Sequence, residues 1–176
     1  MNQVELRLRS ATIIPPDLYV ERAADRQLSE TINELGRPGY VLVARQMGKT
    51  NLLINMKRKL EARHDGVIYI DLSTRFRDLR ECLRNIIDVG LDTLPLKENA
   101  AEVVRSLRAA DLSPQSEYER SLRALLVSAS IGRLVIVLDE VDSLTSARYS
   151  DGVFALVRSM YFSRINYSEF ERMTYV

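Results

Sequence analysis

Apolar positions along the chain recur in two rhythms, and together these predict alternating strands and helices. Short, nearly unbroken apolar runs occupy Tyr40 to Ala44, Val67 to Ile70 and Leu134 to Leu138. Such runs are typical of strands that lie in a parallel sheet covered on both faces. Apolar residues spaced by three and four positions separate the runs and predict amphipathic helices. The pattern therefore predicts an α/β fold with a mostly parallel sheet.

The helical rhythm locates several helices along the chain. It predicts one helix over Asp17 to Leu35, a second over Thr50 to Arg63, and three more between Leu72 and Gly132. The last of these three is expected to begin at Ser113 and Pro114, because serine is a good helix cap and proline fits the first helical turn. A further helix is predicted from Asp151 onward.

Length sets the domain organisation that we expect. The chain has 176 residues, which is enough for one domain with a sizeable core and too few for two ordinary ones. Residues 1–16 are interpreted as an N-terminal arm, because Pro15 and Pro16 force an extended break. Residues 17–176 are interpreted as a single domain.

Composition narrows the class of protein. Hydrophobic residues make up 46% of the chain and charged residues 28%, as in globular proteins. The net charge of +1 gives no strong signal for nucleic-acid binding. Cys82 is the one cysteine, so an internal disulfide is excluded and a buried, inert thiol is expected. No apolar run approaches the roughly 20 residues needed to cross a bilayer, so we predict a cytoplasmic protein without membrane contact.

The first chemical signal follows the first apolar run. The run ends in a polar turn, Gly48-Lys49-Thr50 comes next, and helix-forming residues continue from there. This is the strand, loop and helix order of a phosphate-binding P-loop, in which lysine contacts terminal phosphates and the Thr50 hydroxyl binds magnesium. The full pattern has another glycine, at the position of Val43. By itself the tripeptide is a weak signal, and a strand-to-helix turn with an exposed lysine is the alternative.

A second motif lies at the end of the third apolar run. The strand from Leu134 to Leu138 delivers Asp139 and Glu140 to its C-terminal end, where open α/β sheets place their ligands. Asp139 is the expected magnesium partner, either as a direct ligand or through a bound water, and Glu140 is suitably placed to polarise an attacking water. An acidic surface turn is the alternative, but the earlier P-loop signal makes it the weaker one.

Together the motifs resemble the bacterial AAA-like P-loop ATPases related to the signal-transducing STAND class. The resemblance is carried by P-P-D-x-Y-V-E-R-x-A-D-R-Q-L at Pro15 to Leu28, A-R-Q-M-G-K-T at Ala44 to Thr50, V-I-Y-I-D-L at Val67 to Leu72, V-L-D-E-V-D-S-L at Val137 to Leu144, and F-A-L-V-R-S-M-Y at Phe154 to Tyr161. Members of this family also dispense with the glycine that Val43 replaces. The resemblance implies a P-loop NTPase fold with three α/β/α layers, and ATP and Mg²⁺ as ligands.

The family pattern implies roles for individual residues. Glu140 and Lys49 are the implied catalytic residues, and Thr50 and Asp139 are the implied magnesium ligands. Arg158 and Arg164 are candidates for arginine fingers in a homo-oligomer, with a solvated helix face as the alternative. The implied nucleotide-binding residues are Tyr19, Arg22, Ala44, Arg45, Gln46, Met47, Gly48, Lys49, Thr50 and Asn51, of which Tyr19 and Arg22 would flank adenine and ribose unless Tyr19 only packs in the core.

The resemblance also implies that the domain is incomplete at its C-terminus. Met173 to Val176 is the expected opening of a strand that inserts between the acidic strand and the P-loop strand. Further strands, a helical lid and effector domains are expected after it. Two functions stay open: a signal-transducing switch that binds and hydrolyses ATP, and a nucleotide-binding or scaffold module without effective hydrolysis. The expected partners are ATP and either a second copy of the chain or downstream effector domains.

Overall fold

A computed structural model of the chain describes residues 13–35, 38–42 and 47–176, with backbone alone for residues 34 and 35. The predictions for most of the N-terminal arm lie outside the described residues. So do the predicted nucleotide-binding residues Ala44, Arg45 and Gln46, and Val43 beside them.

Helices and strands alternate as the apolar pattern predicts. The described α-helices are α1 (Ala23–Glu30), α2 (Lys49–Glu61), α3 (Leu79–Thr93), α4 (Ala100–Ala109), α5 (Pro114–Ser128) and α6 (Ser150–Ser163). The described strands are β1 (Gly66–Asp71), β2 (Leu134–Asp139) and β3 (Met173–Tyr175). A π-helical turn spans Thr31–Leu35, and 3-10 turns span Pro16–Leu18, Val141–Ser146 and Ser168–Arg172.

The three strands form a parallel sheet in the order β1, β2, β3. The β1–β2 register pairs Gly66 with Leu134 and ends with Asp71 beside Asp139. β3 then pairs with β2 from Met173 opposite Leu134. The strand predicted at Met173 is therefore present, and it lies next to the acidic strand as expected.

Helices cover both faces of the sheet, because its apolar side chains alternate between two cores. Ile68 and Ile136 point into a large core shared with α3, α5 and α6. Val67 and Val135 point to the other face and pack against α1 and α2. The protein therefore has a helix layer on each side of a parallel sheet, which is the α/β arrangement that the continuous apolar strands predict.

The strand predicted at Tyr40 to Ala44 is wrong for its described residues, 40–42, which belong to no strand. The Gly39 N–H donates to the Tyr175 carbonyl at 2.9 Å, so this segment starts beside β3. Tyr40 is 78% exposed and Leu42 is 92% exposed.

Beyond the Gly39 contact, the described residues 40–42 make no backbone hydrogen bond to β3. The Val176 N–H and carbonyl both pair with β2, through Ile136 and Leu138. An apolar run indicates a tendency to form a strand. Strand pairing also requires a neighbouring strand in the matching register.

Local capping explains where two other elements begin. The first long helix starts at Ala23 instead of Asp17, because the Asp25 carboxylate accepts the Arg22 N–H and closes a capping box there. α5 begins where it was predicted, since the Ser113 hydroxyl accepts the Ser116 N–H. Cys82 is fully buried in the larger core, and burial raises its pKa to about 11, as expected for an inert thiol.

Candidate functional site

The candidate site lies where α2 begins, next to the C-terminal end of β2. Gly48 precedes α2 with φ at 77°, a left-handed conformation that glycine adopts without a steric cost. α2 starts at Lys49 with no side chain capping its N-terminus and no acidic residue in its first turn. The first-turn N–H groups and the positive end of the helix dipole therefore favour an anion at this position.

Lys49 joins the two predicted motifs directly. Its Nζ atom lies 2.9 Å from Asp139 Oδ1 and 2.9 Å from Glu140 Oε1. Burial lowers the pKa of Lys49, but the hydrogen bonds to Glu140 and Asp139 outweigh burial and raise it. The ammonium is therefore charged and held at the end of the acidic strand. The structure brings Lys49, Asp139 and Glu140 together as the sequence predicts.

Asp139 is almost fully buried, with 4% of its surface exposed. Its Oδ2 atom accepts a hydrogen bond from the Tyr69 hydroxyl at 2.5 Å, and Oδ1 accepts the Glu140 N–H at 2.8 Å. Burial raises the pKa of Asp139, but the hydrogen bonds from Tyr69 and Lys49 outweigh burial and lower it. Asp139 is thus an ionised carboxylate whose two oxygens have different partners.

Glu140 has an unusual backbone conformation. Its φ is 55°, in the left-handed region that residues other than glycine seldom adopt. The Ser143 N–H donates to the Glu140 carbonyl at 2.9 Å and closes the 3-10 turn that follows. Half of the Glu140 side chain is exposed, in contrast to buried Asp139. Backbone conformations of this kind cluster at functional sites.

Arg22 contacts the loop that precedes α2. Its guanidinium donates to the Met47 carbonyl at 3.1 Å and to the Gly48 carbonyl at 3.4 Å. The same group lies over the Tyr19 ring, 5.8 Å from its centroid. Arg22 therefore contacts the loop residues that the family pattern implies for nucleotide binding, and Tyr19 contacts Arg22. Their contact with adenine or ribose stays a prediction.

Asp25 connects this arginine to α2. The buried carboxylate accepts hydrogen bonds from the Tyr19 hydroxyl at 2.7 Å, the Arg22 N–H at 2.9 Å and the Asn55 side chain at 3.1 Å. Burial raises its pKa, but these hydrogen bonds outweigh burial and lower it. The ionised Asp25 thereby fixes Arg22, and through Arg22 the backbone of the loop.

A cleft of about 740 Å³ opens beside the charged residues. Its charged lining residues include Lys49, Asp139 and Glu140, and also the exposed Arg158. The remaining wall is largely apolar and includes Tyr40, Leu42, Val153, Phe154, Val157 and Phe162. The cleft combines a few charged side chains with a largely apolar wall, as ligand sites commonly do.

The other predicted site residues have individual surroundings. Thr50 is exposed in the first turn of α2, and Met47 is 63% exposed just before it. The Asn51 side chain accepts the Ile14 N–H at 2.7 Å, so it ties the residues before α1 to α2.

The two candidate arginine fingers differ. Arg158 is exposed on α6, as a finger or a solvated helix face would be. The Arg164 guanidinium lies 4.8 Å from the centroid of the Tyr161 ring and donates to the Met173 carbonyl. A solvated helix face is therefore the wrong description of Arg164, because packing within the chain occupies its guanidinium.

Sequence reasoning missed Tyr69, Asp25 and Asn55, which hold predicted site residues in place. Tyr69 donates to Asp139, and Asn55 donates to Asp25, which in turn accepts the Arg22 N–H. Tyr69 interrupts an otherwise apolar strand, and a buried tyrosine hydroxyl needs a polar partner. That interruption was a usable signal, but it does not name the partner. The Asp25 carboxylate lies three residues after Arg22, the spacing of a helix cap, which again indicates a structural contact without showing the link to α2.

The described residues suit a magnesium ion that is held mainly by a bound nucleotide. In the described part of the chain, no group of three or more His, Cys, Asp and Glu side chains is placed to hold a metal ion. Mg²⁺ is usually held by one or two protein oxygens, substrate phosphates and water. The Thr50 hydroxyl and the Asp139 carboxylate are oxygen ligands of the kind it prefers, so the donor set fits.

Comparison with known proteins identifies the family. The model of the AAA-like domain family matches residues 9–176. The chain belongs to the AAA-like domain family. Membership indicates a nucleotide-binding module of the P-loop type, in agreement with the motifs at Lys49 and Asp139. Searches of curated protein sequences and of solved structures gave no match. Among the described helices of this AAA-like domain, none has the length and apolar character to cross a membrane.

Proposed function

We propose that this AAA-like domain binds Mg-ATP and hydrolyses it as a signal-transducing switch of the STAND type. The observation that carries the proposal is the pair of 2.9 Å contacts from Lys49 Nζ to Asp139 and Glu140. An ammonium at a helix N-terminus and two carboxylates at a strand end are the groups that ATP hydrolysis needs at one place.

Binding exchanges one set of charges for another. Lys49 leaves the carboxylates and pairs with the terminal phosphates, while the first-turn N–H groups of α2 hold phosphate oxygens. Asp139 and Thr50 would hold Mg²⁺, which would neutralise charge on the phosphates. Departure of the ammonium leaves two adjacent carboxylates, and this negative charge favours the incoming cation.

Glu140 is the proposed residue that orients the attacking water. Its carboxylate is half exposed and faces the cleft, whereas Asp139 is buried and engaged by Tyr69. The two neighbouring acids therefore have environments suited to different tasks, one to a metal and one to a water.

The partner side of the switch is a further part of the proposal. A second copy of the chain or downstream effector domains would respond to the nucleotide state. Arg158 is exposed at the cleft and is the better placed of the two arginines to contact a partner or its nucleotide.

A second candidate function is nucleotide binding without effective turnover. The exposure of Tyr40 and Leu42 favours it, because the segment leading into the P-loop is not fixed by a strand ladder in its described residues. Hydrolysis requires closer positioning than binding does, since small displacements of reacting groups cost large factors in rate. The two candidate functions are distinguished by phosphate release, which the ATP-hydrolysing switch shows and the binding module does not.

Binding is tested with Lys49→Ala. We expect this variant to lose Mg-ATP binding, measured by titration calorimetry, because the charge facing the phosphates is removed. Lys57→Ala is the matched control, since Lys57 lies on the same helix and pairs with Glu61 at 3.7 Å. Unchanged binding in Lys49→Ala would contradict the site.

Hydrolysis is tested with Glu140→Gln. We expect nucleotide binding to persist and phosphate release to fall by roughly 100-fold or more, the usual effect of losing a general base. Equal phosphate release in the variant and the unmodified protein would remove Glu140 from the mechanism. Tight binding with no phosphate release in the unmodified protein would favour the second candidate.

A further inference from the structure

Arg22 contacts two successive carbonyl groups of the loop that leads into α2. Its Nη1 atom donates to the Met47 carbonyl at 3.1 Å, and its Nη2 atom donates to the Gly48 carbonyl at 3.4 Å. The guanidinium lies so close to the loop that a Cβ atom at Gly48 would be 3.2 Å from Nη1. One planar guanidinium serves both carbonyls because its donors project in a fixed fork.

The guanidinium is held in turn by groups outside the loop. Nη2 also donates to the Tyr19 hydroxyl at 3.1 Å, and Nε lies 3.5 Å from Asp25 Oδ2. Asp25 is buried and accepts a hydrogen bond from Asn55 on α2 at 3.1 Å. These contacts fix the direction of the Arg22 side chain, so the arginine is already placed against the loop before a ligand binds.

The contact with Met47 determines the direction of one N–H group. A trans peptide is planar, and its C=O and N–H groups point in opposite directions. The Met47 carbonyl points to Arg22, so the Gly48 N–H of the same peptide points away from Arg22. Among the described residues, no acceptor is found for this N–H. A cationic donor at the carbonyl also polarises the peptide, which makes its N–H a stronger donor.

We propose that Arg22 is a positioning residue that orients the Gly48 N–H toward the phosphates of the bound nucleotide. It acts through the Met47–Gly48 peptide, and backbone N–H groups of this kind hold phosphate oxygens in P-loops. The inference rests on the proposed function and assigns Arg22 to the phosphate end of that site. A place beside adenine or ribose, which the family pattern implies for Arg22, is the alternative that the experiment separates.

The experiment measures the binding of two ligands by titration calorimetry, Mg-ATP and inorganic tripolyphosphate with Mg²⁺. Tripolyphosphate has the phosphate chain of ATP without the adenine and the ribose. In Arg22→Ala we expect both dissociation constants to rise by about tenfold, the effect of one hydrogen bond made by a charged group. The hydrogen bond from the Arg22 N–H to Asp25 belongs to the backbone, so the substitution leaves it in place. Thermal unfolding verifies that each variant is folded.

Two further variants separate geometry from charge. Arg26 is exposed on α1 and makes no hydrogen bond to the loop among the described residues, so Arg26→Ala removes the same charge without the contact. We expect its two dissociation constants to match those of the unmodified protein. Arg22→Lys keeps the charge but lacks the fork that contacts two carbonyls, so we expect it to weaken both ligands nearly as much as Arg22→Ala.

Nuclear magnetic resonance observes the peptide directly. Met47–Gly48 is the one Met-Gly pair in the sequence, so isotope labels on the methionine carbonyl carbon and the glycine nitrogen select a single peptide. Saturating tripolyphosphate should shift the signal of this peptide in the unmodified protein and in Arg26→Ala. We expect a clearly smaller shift in Arg22→Ala, because the N–H is no longer held toward the phosphates.

The outcomes separate the two levels of the proposal. If Arg22→Ala weakens Mg-ATP but not tripolyphosphate, Arg22 acts at adenine or ribose and the positioning role is overturned. Full binding in Arg22→Lys would overturn it as well, because charge alone would then be sufficient, and so would an identical peptide shift in Arg22→Ala. Failure of the unmodified protein to bind either ligand would instead overturn the proposed function, and the positioning role with it.

Discussion

Two of the charged clusters among the described residues have a buried carboxylate at their centre, and they differ in what surrounds it. Glu117 on α5 is 3% exposed and pairs with Arg80 and with Arg84. Asp139 at the end of β2 is 4% exposed and shares Lys49 with Glu140. The first cluster has two cations for one anion, and the second has one cation for two anions.

The Glu117 cluster is closed. The Arg84 guanidinium contacts both Glu117 oxygens, at 2.5 Å and 3.0 Å, and the Arg80 guanidinium also donates to the Leu112 carbonyl at 2.8 Å. The positive groups therefore have further acceptors within the protein. Such a cluster links α3 to α5. Its charged groups already have partners within the protein, so it does not attract a ligand.

The Asp139 cluster is open by contrast. It lies at a cleft, its second carboxylate is half exposed, and its ammonium is shared between two acids. An excess of negative charge at an accessible position is a reason for a cation to bind. The difference teaches that a buried acid alone does not indicate function. The balance of charge around the acid, and its access to solvent, separate a ligand site from a structural cross-link.

The largest expected effect comes from breaking the closed cluster. Glu117→Ala leaves two guanidiniums without their carboxylate. Because these guanidiniums are about a third exposed, we expect the free energy of unfolding to fall by about 3 kcal/mol, the lower end for a broken buried pair. Urea denaturation followed by circular dichroism measures the change. Glu119→Ala, on the same helix and without an ion pair among the described residues, is the control and should change stability by less than about 1 kcal/mol. Equal effects in the two variants would mean that Glu117 is not a cross-link.

A smaller effect is expected at the open cluster. Asp139→Asn should remove the stabilisation by Mg-ATP, which amounts to about 2.7 kcal/mol when the ligand is present at 100 times its dissociation constant. Thermal unfolding with and without Mg-ATP measures it. Exposed Asp111 supplies the control, Asp111→Asn, which should keep the full ligand response. A ligand response that survives in Asp139→Asn would remove the contrast between the clusters.

The smallest effect is the pH dependence of stability. Burial raises the pKa of Glu117, but Arg84 and Arg80 outweigh burial and lower it. Because the folded pKa lies below the unfolded one, this contribution to stability is complete above the unfolded pKa. It is lost as pH falls through the folded pKa, below about pH 4.5.

Urea denaturation at a series of pH values from about 6 to 3 measures this dependence. In Glu117→Gln we expect a shallower loss of stability with acid than in the unmodified protein. A parallel loss in the two proteins would show that Glu117 does not carry this dependence.

Signals that are local in sequence predicted their parts of the molecule well. The five apolar residues before Asp139 form a largely buried strand, as their pattern predicts. Ser113 caps α5 by accepting the N–H of Ser116, three positions later. The meeting of Lys49 with Asp139 and Glu140 was also predictable, because each lies at the end of a recognisable element. Residues 40–42 were predicted wrongly. Their apolar character does not show whether a neighbouring strand lies in the register that pairing requires.

The sequence alone therefore determined the alternation of elements and the chemical groups of the site. Tertiary structure decided which atoms meet. Tyr69 reaches one oxygen of Asp139 because of the register between β1 and β2, and Arg22 reaches the Met47 carbonyl because Asp25 and Asn55 hold α1 against α2. These contacts depend on packing between residues far apart in the chain, and such packing has no periodicity that a local pattern can display.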